Sequence, residues 1–537
     1  MIVNIAFEGC CHGELDEIYQ SLQQLSVPIS LLIIGGDFQQ RGHLTLFVRA
    51  VRNWRDLNCM AIPAKYYRLG DFHDYYSGKK KAPITTIFIG GNHEASNYLW
   101  ELYYGGWVAP NIYYIGAGNI LNFDGVRIGG LSGIWKEGDY YKGHFERVPY
   151  TEGTKRSIYH VRQYDVLKLY QVSERVDIMV SHDWPAGVEQ YGQLNELLAK
   201  KKYFKSDIDN NALGSPPAMS LLRRLRPRHW LSAHLHVKYA AIVKHQPRNQ
   251  RNSAVTHHAS QMTEYFPQIP KAGNADEITI DLDDLPTTAD AAVANNYTNE
   301  DEIAIETYNG QDANKIPAPN SQKVVVDSVD DDIKVDEGNL ASAAPIPDYQ
   351  VDTPISFDED TISGRATSAC LKSVVGDAAA GQTENTTDAR GFSATRFLAL
   401  DKCLPRRNFL QIIQVRTQEQ NGAHKLCYDP EWLAIAKAME SYMSLDVQQP
   451  ELFATTTERE TLAREIRDAR EWVQSNIVEL GKLEVPNNFH PTAPCSHRDD
   501  SSRNTAKLQP TQYNNEQTQV FCDLLGMPNR IRREPGQ

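Results

Sequence analysis

The sequence of 537 residues lacks the features of a membrane-spanning or secreted protein. Its longest apolar runs, Ile29–Ile34 and Ile84–Ile89, are far shorter than the roughly 20 residues that a helix needs to cross a bilayer. Met1–Phe7 has no basic flank, so we expect a first β-strand there and no signal peptide. The eight cysteines form no Cys-x-x-Cys pair and no spacing typical of a disulfide framework. These absences favour a reduced compartment, cytosolic or nuclear, and exclude a membrane partner.

Basic residues are scarce only in the second half of the chain. The whole chain has 55 Lys and Arg against 68 Asp and Glu, a formal net charge of −13. Residues 1–245 hold 28 basic and 23 acidic residues, a net of +5, so the remainder carries −18. The overall acidity therefore does not exclude a polyanionic partner for the N-terminal half.

Residues 1–245 alternate short apolar runs with amphipathic segments and Gly-rich junctions. Ile2–Phe7 and Leu31–Ile34 are typical of strands, and apolar residues from Leu15 to Leu25 recur between them at helical spacing. This alternation predicts an α/β domain that is long enough to bury its own core.

The chain changes character after this domain. Residues 272–360 contain 22 Asp and Glu against 3 Lys and Arg, with little periodicity. Such a composition buries too little apolar surface to offset its chain entropy, which predicts a disordered acidic linker over 246–390. Apolar periodicity resumes near Thr395, which predicts a small C-terminal domain over 391–490. The polar composition that follows predicts a mostly disordered tail over 491–537.

Five short motifs place metal-binding side chain types directly after strand-like runs. They are Gly9–Gly13, Gly36-Asp37, Gly90–Glu94, Ser181–Asp183 and Ala233–His236. The carboxyl ends of strands in α/β sheets gather ligand sites, so loops that are distant in sequence can converge there. Each motif alone is weak, because a lone His after a strand is usually structural. As a set, the motifs predict a metal centre.

The side chain types in these motifs fit two divalent cations about 3.5–4 Å apart. Asp37 is suited to bridge the two ions, because one carboxylate can give an oxygen to each. The other candidate ligands are Cys10, His12, Asn92, His182, His234 and His236. A soft thiolate at Cys10 shifts the preference from Mg²⁺ or Ca²⁺ toward Zn²⁺, Fe²⁺ or Mn²⁺. The alternative is a Cys10 that only fills the end of the strand, as we expect for Cys11.

The order of these motifs is similar to that of the calcineurin-like metallophosphoesterases over residues 1–245. Cys10 in place of the usual Asp, and Ala233 in place of the usual Gly, resemble the RNA lariat debranching enzymes. Ile89–Asn97, Arg156–Arg162 and the downstream stretch Thr395–Pro405 resemble that family too. The resemblance implies a metallophosphoesterase-type β-sandwich flanked by helices.

The resemblance also implies a function, the metal-dependent hydrolysis of the 2′–5′ phosphodiester bond at the branch point of excised intron lariat RNA. His93, next to Asn92, is expected to protonate the leaving 2′ oxygen, and Glu94 is expected to orient a ligand. A nuclear location follows only from this substrate, because no basic import signal stands out. The acidic linker is a candidate surface for a protein partner.

Residues 134–164 mix cations and aromatic residues, which suits phosphate contacts and stacking on unpaired bases. The segment resembles the lariat-recognition loop of the same family. The candidate substrate contacts are Lys136, Tyr140, Tyr141, Lys142, His144, Arg156, Tyr159, His160 and Arg162. For each of them, a structural place in an ordinary loop is an equal alternative.

Extra residues near Gln40–Arg49 interrupt the resemblance directly after Asp37. This apolar insert could distort the site, or it reflects an artefact of the gene model. Two other functions therefore stay open, a phosphoprotein phosphatase with the same metal core and an RNA-binding scaffold that the insert has disabled. Phosphate release from a phosphoserine peptide would favour the phosphatase, and RNA binding without turnover would favour the scaffold.

Overall fold

The computed structural model describes residues 2–38, 51–62, 70–246, 391–417, 424–495 and 508–532, and the backbone of 351–352. The insert near Gln40–Arg49 and nearly all of the predicted linker 246–390 lie outside the described residues. Among the helices described, none is both long and apolar enough to span a membrane.

Two mixed sheets of seven strands each form the centre of the fold. The first sheet contains β1 (Ile2–Glu8), β2 (Leu31–Ile34), β3 (Thr85–Phe88), β4 (Gly106–Ala109), β5 (Ile112–Tyr114), β11 (Val351–Asp352) and β13 (Leu410–Arg416). The second contains β6 (Gly118–Phe123), β7 (Val126–Leu131), β8 (Ile178–Ser181), β9 (His229–Ser232), β10 (Tyr239–Lys244), β12 (Ala394–Ala399) and β14 (Leu426–Tyr428). Their orders are β11-β13-β1-β2-β3-β5-β4 and β10-β12-β9-β8-β7-β6-β14.

Helices flank the sheets, which confirms the predicted α/β class with two sheets. In the N-terminal half they are α1 (Leu15–Gln23), α2 (Phe72–Tyr76), α3 (Ser96–Glu101), α4 (Glu137–Tyr140), α5 (Glu152–Ser157), α6 (Gln163–Tyr170), α7 (Leu194–Lys200), α8 (Phe204–Asp209) and α9 (Pro216–Leu225). Further along the chain they are α10 (Pro430–Met439), α11 (Thr456–Val473) and α12 (Glu516–Leu525). Short 3₁₀ turns occur at Asp56–Cys59, Val188–Tyr191 and Glu440–Tyr442, and a π-helical turn at Gln474–Val478 follows α11.

The register of the central parallel strands aligns the points at which they end. Glu8 of β1 pairs with Ile34 of β2, and Ile34 pairs with Phe88 of β3. In the second sheet, Ser181 of β8 pairs with Ser232 of β9. Within each sheet, the motif loops that follow these strands therefore begin at matched positions, as the sequence predicted.

The segment 391–417 supplies one strand to each sheet. β12 pairs with β10 on one side and β9 on the other, and β13 runs antiparallel to β1 over its whole length. Phe397, Phe409 and Leu410 are buried in the resulting core. The chain beyond the linker thus completes the two sheets that carry the motif loops.

The predicted disorder of the tail 491–537 is corrected over residues 508–532. Helix α12 buries Phe521 and Leu525, which belong to a short apolar patch, Val520–Leu525, within the otherwise polar tail. The Gln517 side chain accepts from the Trp107 backbone N–H at 2.8 Å and donates to its carbonyl at 2.8 Å. The tail therefore packs against β4, and the Gln517 side chain pairs with the Trp107 backbone as a neighbouring strand would.

Candidate metal centre

Side chains from three of the motif loops meet in one buried cluster. The ligand atoms of Cys10, His12, Asp37 and His236 all lie within 4.8 Å of one another. The Nε2 atoms of His12 and His236 are 3.1 Å apart. These four residues are separated by up to 226 positions in the chain, so only the alignment of the strand ends brings them together.

The other predicted ligands lie close to the same carboxylate. His182 Nε2 lies 3.3 Å from Asp37 Oδ1, and the rings of His182 and His234 have centroids 4.9 Å apart. The backbone N–H groups of Asn92 and His93 donate to Asp37 Oδ1 at 3.1 and 3.2 Å. Asp37 is thus close to predicted ligands from all the other motif loops, which a bridging role would need.

Four of the ligands have a left-handed backbone. The φ angles are +51° for His12, +45° for Asp37, +61° for His234 and +47° for His236. Residues other than glycine adopt this region at a cost, and such outliers concentrate at functional sites. The loops are therefore shaped to aim these side chains at one point.

Two glycines provide the space for this convergence. A Cβ on Gly36, whose φ is +112°, would lie 2.3 Å from His182 Nδ1. A Cβ on Gly91 would lie 2.3 Å from Asp37 Oδ1 and 2.5 Å from its backbone nitrogen. Because His182 and Asp37 are predicted ligands, a larger residue at either glycine would displace a ligand side chain.

Glu94 joins the loop of Asp37 to the loop of Asn92. Its Oε1 accepts the backbone N–H of Phe38 at 3.0 Å and that of Gly91 at 2.9 Å. Burial, together with the charge of Asp37, raises the pKa of Glu94 to about 8. The geometry fits the expectation that Glu94 orients a ligand, since it fixes the backbone on both sides of Asp37.

The electrostatics of the cluster favour an ionised Asp37. Burial opposes its ionisation, but His182 and His93 outweigh that effect and hold the pKa of Asp37 well below its usual range. Burial also lowers the pKa of His182, yet the neighbouring Asp37 carboxylate leaves it above the ordinary value. Burial, together with adjacent imidazoles, holds the pKa of His12 and His234 well below the usual value. Neutral imidazoles and a carboxylate are the forms that bind metal ions.

The side chains of Cys10 and Cys11 point to different surroundings, as is usual for successive residues at the end of a strand. Cys10 Sγ accepts the backbone N–H of His234 at 3.2 Å within the ligand cluster, whereas Cys11 belongs to the hydrophobic core. Burial raises the pKa of the Cys10 thiol well above its ordinary value, and Asp37 adds to the shift. A thiolate at this place therefore needs a cation beside it.

Several buried polar atoms of the cluster fit a resident metal. Asn92 Oδ1 and His12 Nδ1 are buried and make no hydrogen bond in the described part of the chain. Carbonyl oxygen, imidazole nitrogen, thiolate and carboxylate together form a mixed hard and soft donor set. The residues present therefore fit divalent transition metals.

The sequence did not reveal that the C-terminal segment supports Cys10. The backbone N–H of Cys10 donates to the Asp401 carbonyl at 3.4 Å, and that of Cys403 donates to the Cys10 carbonyl at 3.2 Å. A Cβ on Gly9 would lie 2.2 Å from the Asp401 carbonyl oxygen, so this close approach requires glycine. The only signal in the sequence was the stretch Thr395–Pro405, whose resemblance gave no position in the fold.

The loop 134–164 contributes accessible and buried members of the predicted substrate set. Tyr141 is exposed by 51%, and Arg156 is exposed as well. Lys136 and Tyr159 are partly buried, and so is Lys142, whose Nζ lies 2.6 Å from Asp139 Oδ1. These five can face a ligand from the protein surface.

Three members of the predicted substrate set are buried, which favours the structural alternative for them. Tyr140 is fully buried, and His144 Nε2 lies 2.8 Å from Asp165 Oδ2. Arg162 is fully buried too, and its guanidinium donates to Glu146 and to the Ser157 carbonyl. His144 and Arg162 make these bonds inside the protein, whereas Tyr140 Oη and Arg162 Nε are buried without a hydrogen-bond partner among the described residues. His160 is buried as well, and its Nδ1 lies 2.7 Å from Asp139 Oδ2.

Two protein-family models match the chain. The model of the calcineurin-like phosphoesterases matches residues 3–238, and that of the lariat debranching enzyme C-terminal domain matches residues 392–530. The two matched ranges contain every predicted metal ligand and both strands of the segment 391–417.

Curated relatives extend these matches over the full chain. The lariat debranching enzyme of Schizosaccharomyces pombe is 36% identical over 99% of this chain and 98% of its own length. The human lariat debranching enzyme is 35% identical over 98% of this chain and 69% of its own length. That of Danio rerio is 52% identical over 47% of this chain and 44% of its own length.

Proposed function

The chain belongs to the lariat debranching enzyme family, and from that premise we propose that it hydrolyses the 2′–5′ phosphodiester bond at the branch point of lariat RNA. The observation that carries this proposal is the buried cluster of Cys10, His12, Asp37 and His236. A metal-dependent hydrolase needs such ligands within a few ångströms of one another, and the described residues provide them.

We propose that two divalent ions occupy the cluster, with Asp37 between them. The holding residues would be Cys10, His12, Asp37, Asn92, His182, His234 and His236. When bound, two such ions lower the pKa of a water molecule and offset negative charge on the phosphoryl oxygens. Because Cys10 supplies a soft sulfur donor, we propose Fe²⁺, Zn²⁺ or Mn²⁺ in preference to Mg²⁺.

His93 is the proposed general acid for the leaving 2′ oxygen. Its backbone N–H is fixed 3.2 Å from Asp37 Oδ1, and the side chain is partly buried next to Asn92. A proton donor at this place lies beside the reacting phosphate without being needed as a metal ligand. His93 would therefore act on the rate of cleavage and leave the metals in place.

The accessible residues of the loop 134–164 are the proposed contacts to RNA. They are Lys136, Tyr141, Lys142, Arg156 and Tyr159. Cations that meet phosphates and rings that stack on bases would hold unpaired nucleotides next to the metals. We also propose a nuclear location, from the substrate alone, and a protein partner for the acidic linker, from its charge alone.

Cleavage of a synthetic branched RNA tests the proposed function. The substrate has one 2′–5′ bond within otherwise 3′–5′ linked strands, and the matched control is a linear RNA of the same composition. We expect cleavage at the 2′–5′ bond only, and none of phosphoserine peptides. Metal content is measured on the same sample. Loss of phosphate from the peptides would favour the phosphatase, and RNA binding without cleavage would favour the scaffold.

A further inference from the structure

A side-chain amide of the C-terminal tail pairs with the backbone of the loop 134–164. Gln509 Oε1 accepts the Tyr150 backbone N–H at 2.6 Å, and Gln509 Nε2 donates to the Tyr150 carbonyl at 2.7 Å. Tyr150 is buried, and buried backbone groups need hydrogen-bond partners. Gln509 supplies both partners for this residue, as a neighbouring strand would.

Tyr150 lies directly before helix α5 and fixes where that helix begins. Its ring packs in a small cluster with Cys59 and Val148. The next residue, Thr151, caps the helix, because its Oγ1 accepts the Thr154 backbone N–H at 3.2 Å. The start of α5 is thus attached to the tail through the residue that precedes its cap.

Helix α5 carries Arg156, an exposed side chain and one of the proposed contacts to RNA. The end of the helix is held within the loop, since the buried Arg162 guanidinium donates to the Ser157 carbonyl at 2.9 Å. Gln509 therefore holds the start of α5, and Arg162 holds its end. A cation on a helix that is fixed at both ends loses less conformational entropy when it binds a phosphate.

The earlier part of the loop is attached to a different segment of the chain. The Gly143 and His144 N–H groups donate to carbonyls of the segment 444–447 at 3.3 and 2.9 Å. These bonds follow directly after Lys142, another proposed contact to RNA. Loss of the Gln509 side chain should therefore disturb α5 and spare Lys142.

We propose that Gln509 is a positioning residue, which fixes the start of α5 through Tyr150 and so holds Arg156 where a phosphate of the branched RNA meets it. The proposal rests on the proposed function and deepens it, because it assigns part of substrate binding to the tail. Gln509 acts through Arg156 and makes no contact of its own with RNA. Its effect appears in KM and in the salt dependence of KM, and not in kcat.

Cleavage of the synthetic branched RNA by Gln509→Ala and Arg156→Ala tests this role. For each variant we expect KM to rise about fivefold with kcat within about twofold, because one phosphate contact weakens and the metal centre is untouched. The slope of log KM against log salt concentration should become shallower by about one in both. The double variant should be no worse than Arg156→Ala, because both changes remove the same contact. Gln509→Ala combined with Lys142→Ala should instead show additive effects.

Gln517 provides a matched control, because it makes the same kind of pairing outside the loop 134–164. Its amide pairs with the N–H and the carbonyl of Trp107 in β4, both at 2.8 Å. Gln517→Ala should lower the midpoint of thermal unfolding as Gln509→Ala does, but leave KM and its salt dependence unchanged. Gln509→Met keeps a side chain of similar length without the two hydrogen bonds, and it serves where Gln509→Ala does not fold.

The outcomes separate the positioning role from a purely structural one. An unchanged KM for Gln509→Ala or for Arg156→Ala would overturn the proposal. So would a rise in KM for Gln517→Ala that equals the rise for Gln509→Ala, or additive effects of Gln509→Ala and Arg156→Ala. No cleavage by the wild-type protein would overturn the proposed function instead.

Discussion

Asp37 shows how much of the fold is devoted to a single carboxylate. It accepts backbone N–H groups from the loop of Asn92, stands 3.3 Å from His182 and adopts a left-handed φ of +45°. A left-handed residue costs roughly 1–2 kcal/mol, and three further ligands share this conformation. Packing within the two sheets must offset that cost. The strain therefore belongs to the whole site and not to the loops alone.

Replacement of His93 and of Asp37 should separate the chemical step from metal binding. We expect His93→Ala to slow cleavage of branched RNA by about 10²–10⁴-fold, the usual contribution of a general acid, with metal content unchanged. Asp37→Asn should lose metal and activity together, because the bridging charge is gone. Rates and metal content are measured on the same preparations. Normal cleavage by His93→Ala would show that another group protonates the leaving oxygen.

A single added methyl group should disable the centre. Gly91→Ala would place a Cβ 2.3 Å from Asp37 Oδ1, so we expect loss of metal and at least a hundredfold loss of cleavage, with the fold retained. Gly138→Ala is the matched control, because a Cβ there meets nothing within 4 Å. Circular dichroism and metal analysis of both variants check this. Equal activity of the two variants would contradict the close approach of Gly91 to Asp37.

At the scale of the elements, the strands around the site were predictable and their partners were not. The apolar runs of β1 and β2 and the helical spacing of α1 appear in the sequence because local periodicity determines them. The pairing of β13 with β1, from Ile2 with Arg416 to Glu8 with Leu410, joins residues that are hundreds of positions apart. Such pairing depends on tertiary packing, which no local pattern encodes.

Strand β9 carries a histidine whose titration should lower the stability of the protein in acid. Burial, together with the charges of Arg396 and Arg228, lowers the pKa of His229 to about 3. Between pH 6.5 and 3 the unfolded chain binds a proton that the folded state does not, so stability falls as the pH is lowered through this window. From pH 7 to pH 5 this group contributes a loss of at most about 2 kcal/mol.

The variant His229→Gln isolates that contribution because glutamine does not titrate. Urea unfolding of the metal-free protein at pH 7 and pH 5 gives the loss of stability for each form. We expect a smaller loss for His229→Gln than for the wild-type protein. An equal loss in both would mean that His229 binds its proton in the folded state too.

At the scale of the whole molecule, the candidate site was more predictable than the outline of the protein. Side chains such as His182 and His236 were found because ligand types follow strands in a fixed order. The order of the tail was missed, since Phe521 and Leu525 form too short an apolar pattern to indicate a packed helix on their own. Likewise, Tyr140 and Arg162 looked like RNA contacts, because composition does not show which side chains of a loop turn inward.

The acidic stretch should be dispensable for cleavage. The strands and candidate ligands of the described residues lie outside 272–347, and the composition of this stretch predicts a chain that does not pack. We expect a protein in which a short Gly-Ser linker replaces 272–347 to cleave branched RNA with a kcat within twofold of the wild-type value. The midpoint of thermal unfolding and the rate of branched-RNA cleavage are measured for both proteins. An inactive but folded protein would indicate that residues 272–347 take part in binding or cleavage of the substrate.

Anomalous X-ray diffraction from metal-loaded crystals tests whether the cluster around Asp37 holds two metal ions. We expect two metal peaks about 3.5–4 Å apart, with Asp37 between them and Cys10 Sγ bound to one. No peak at this cluster, or a single peak that Asp37 and the His234–His236 pair do not share, would contradict it.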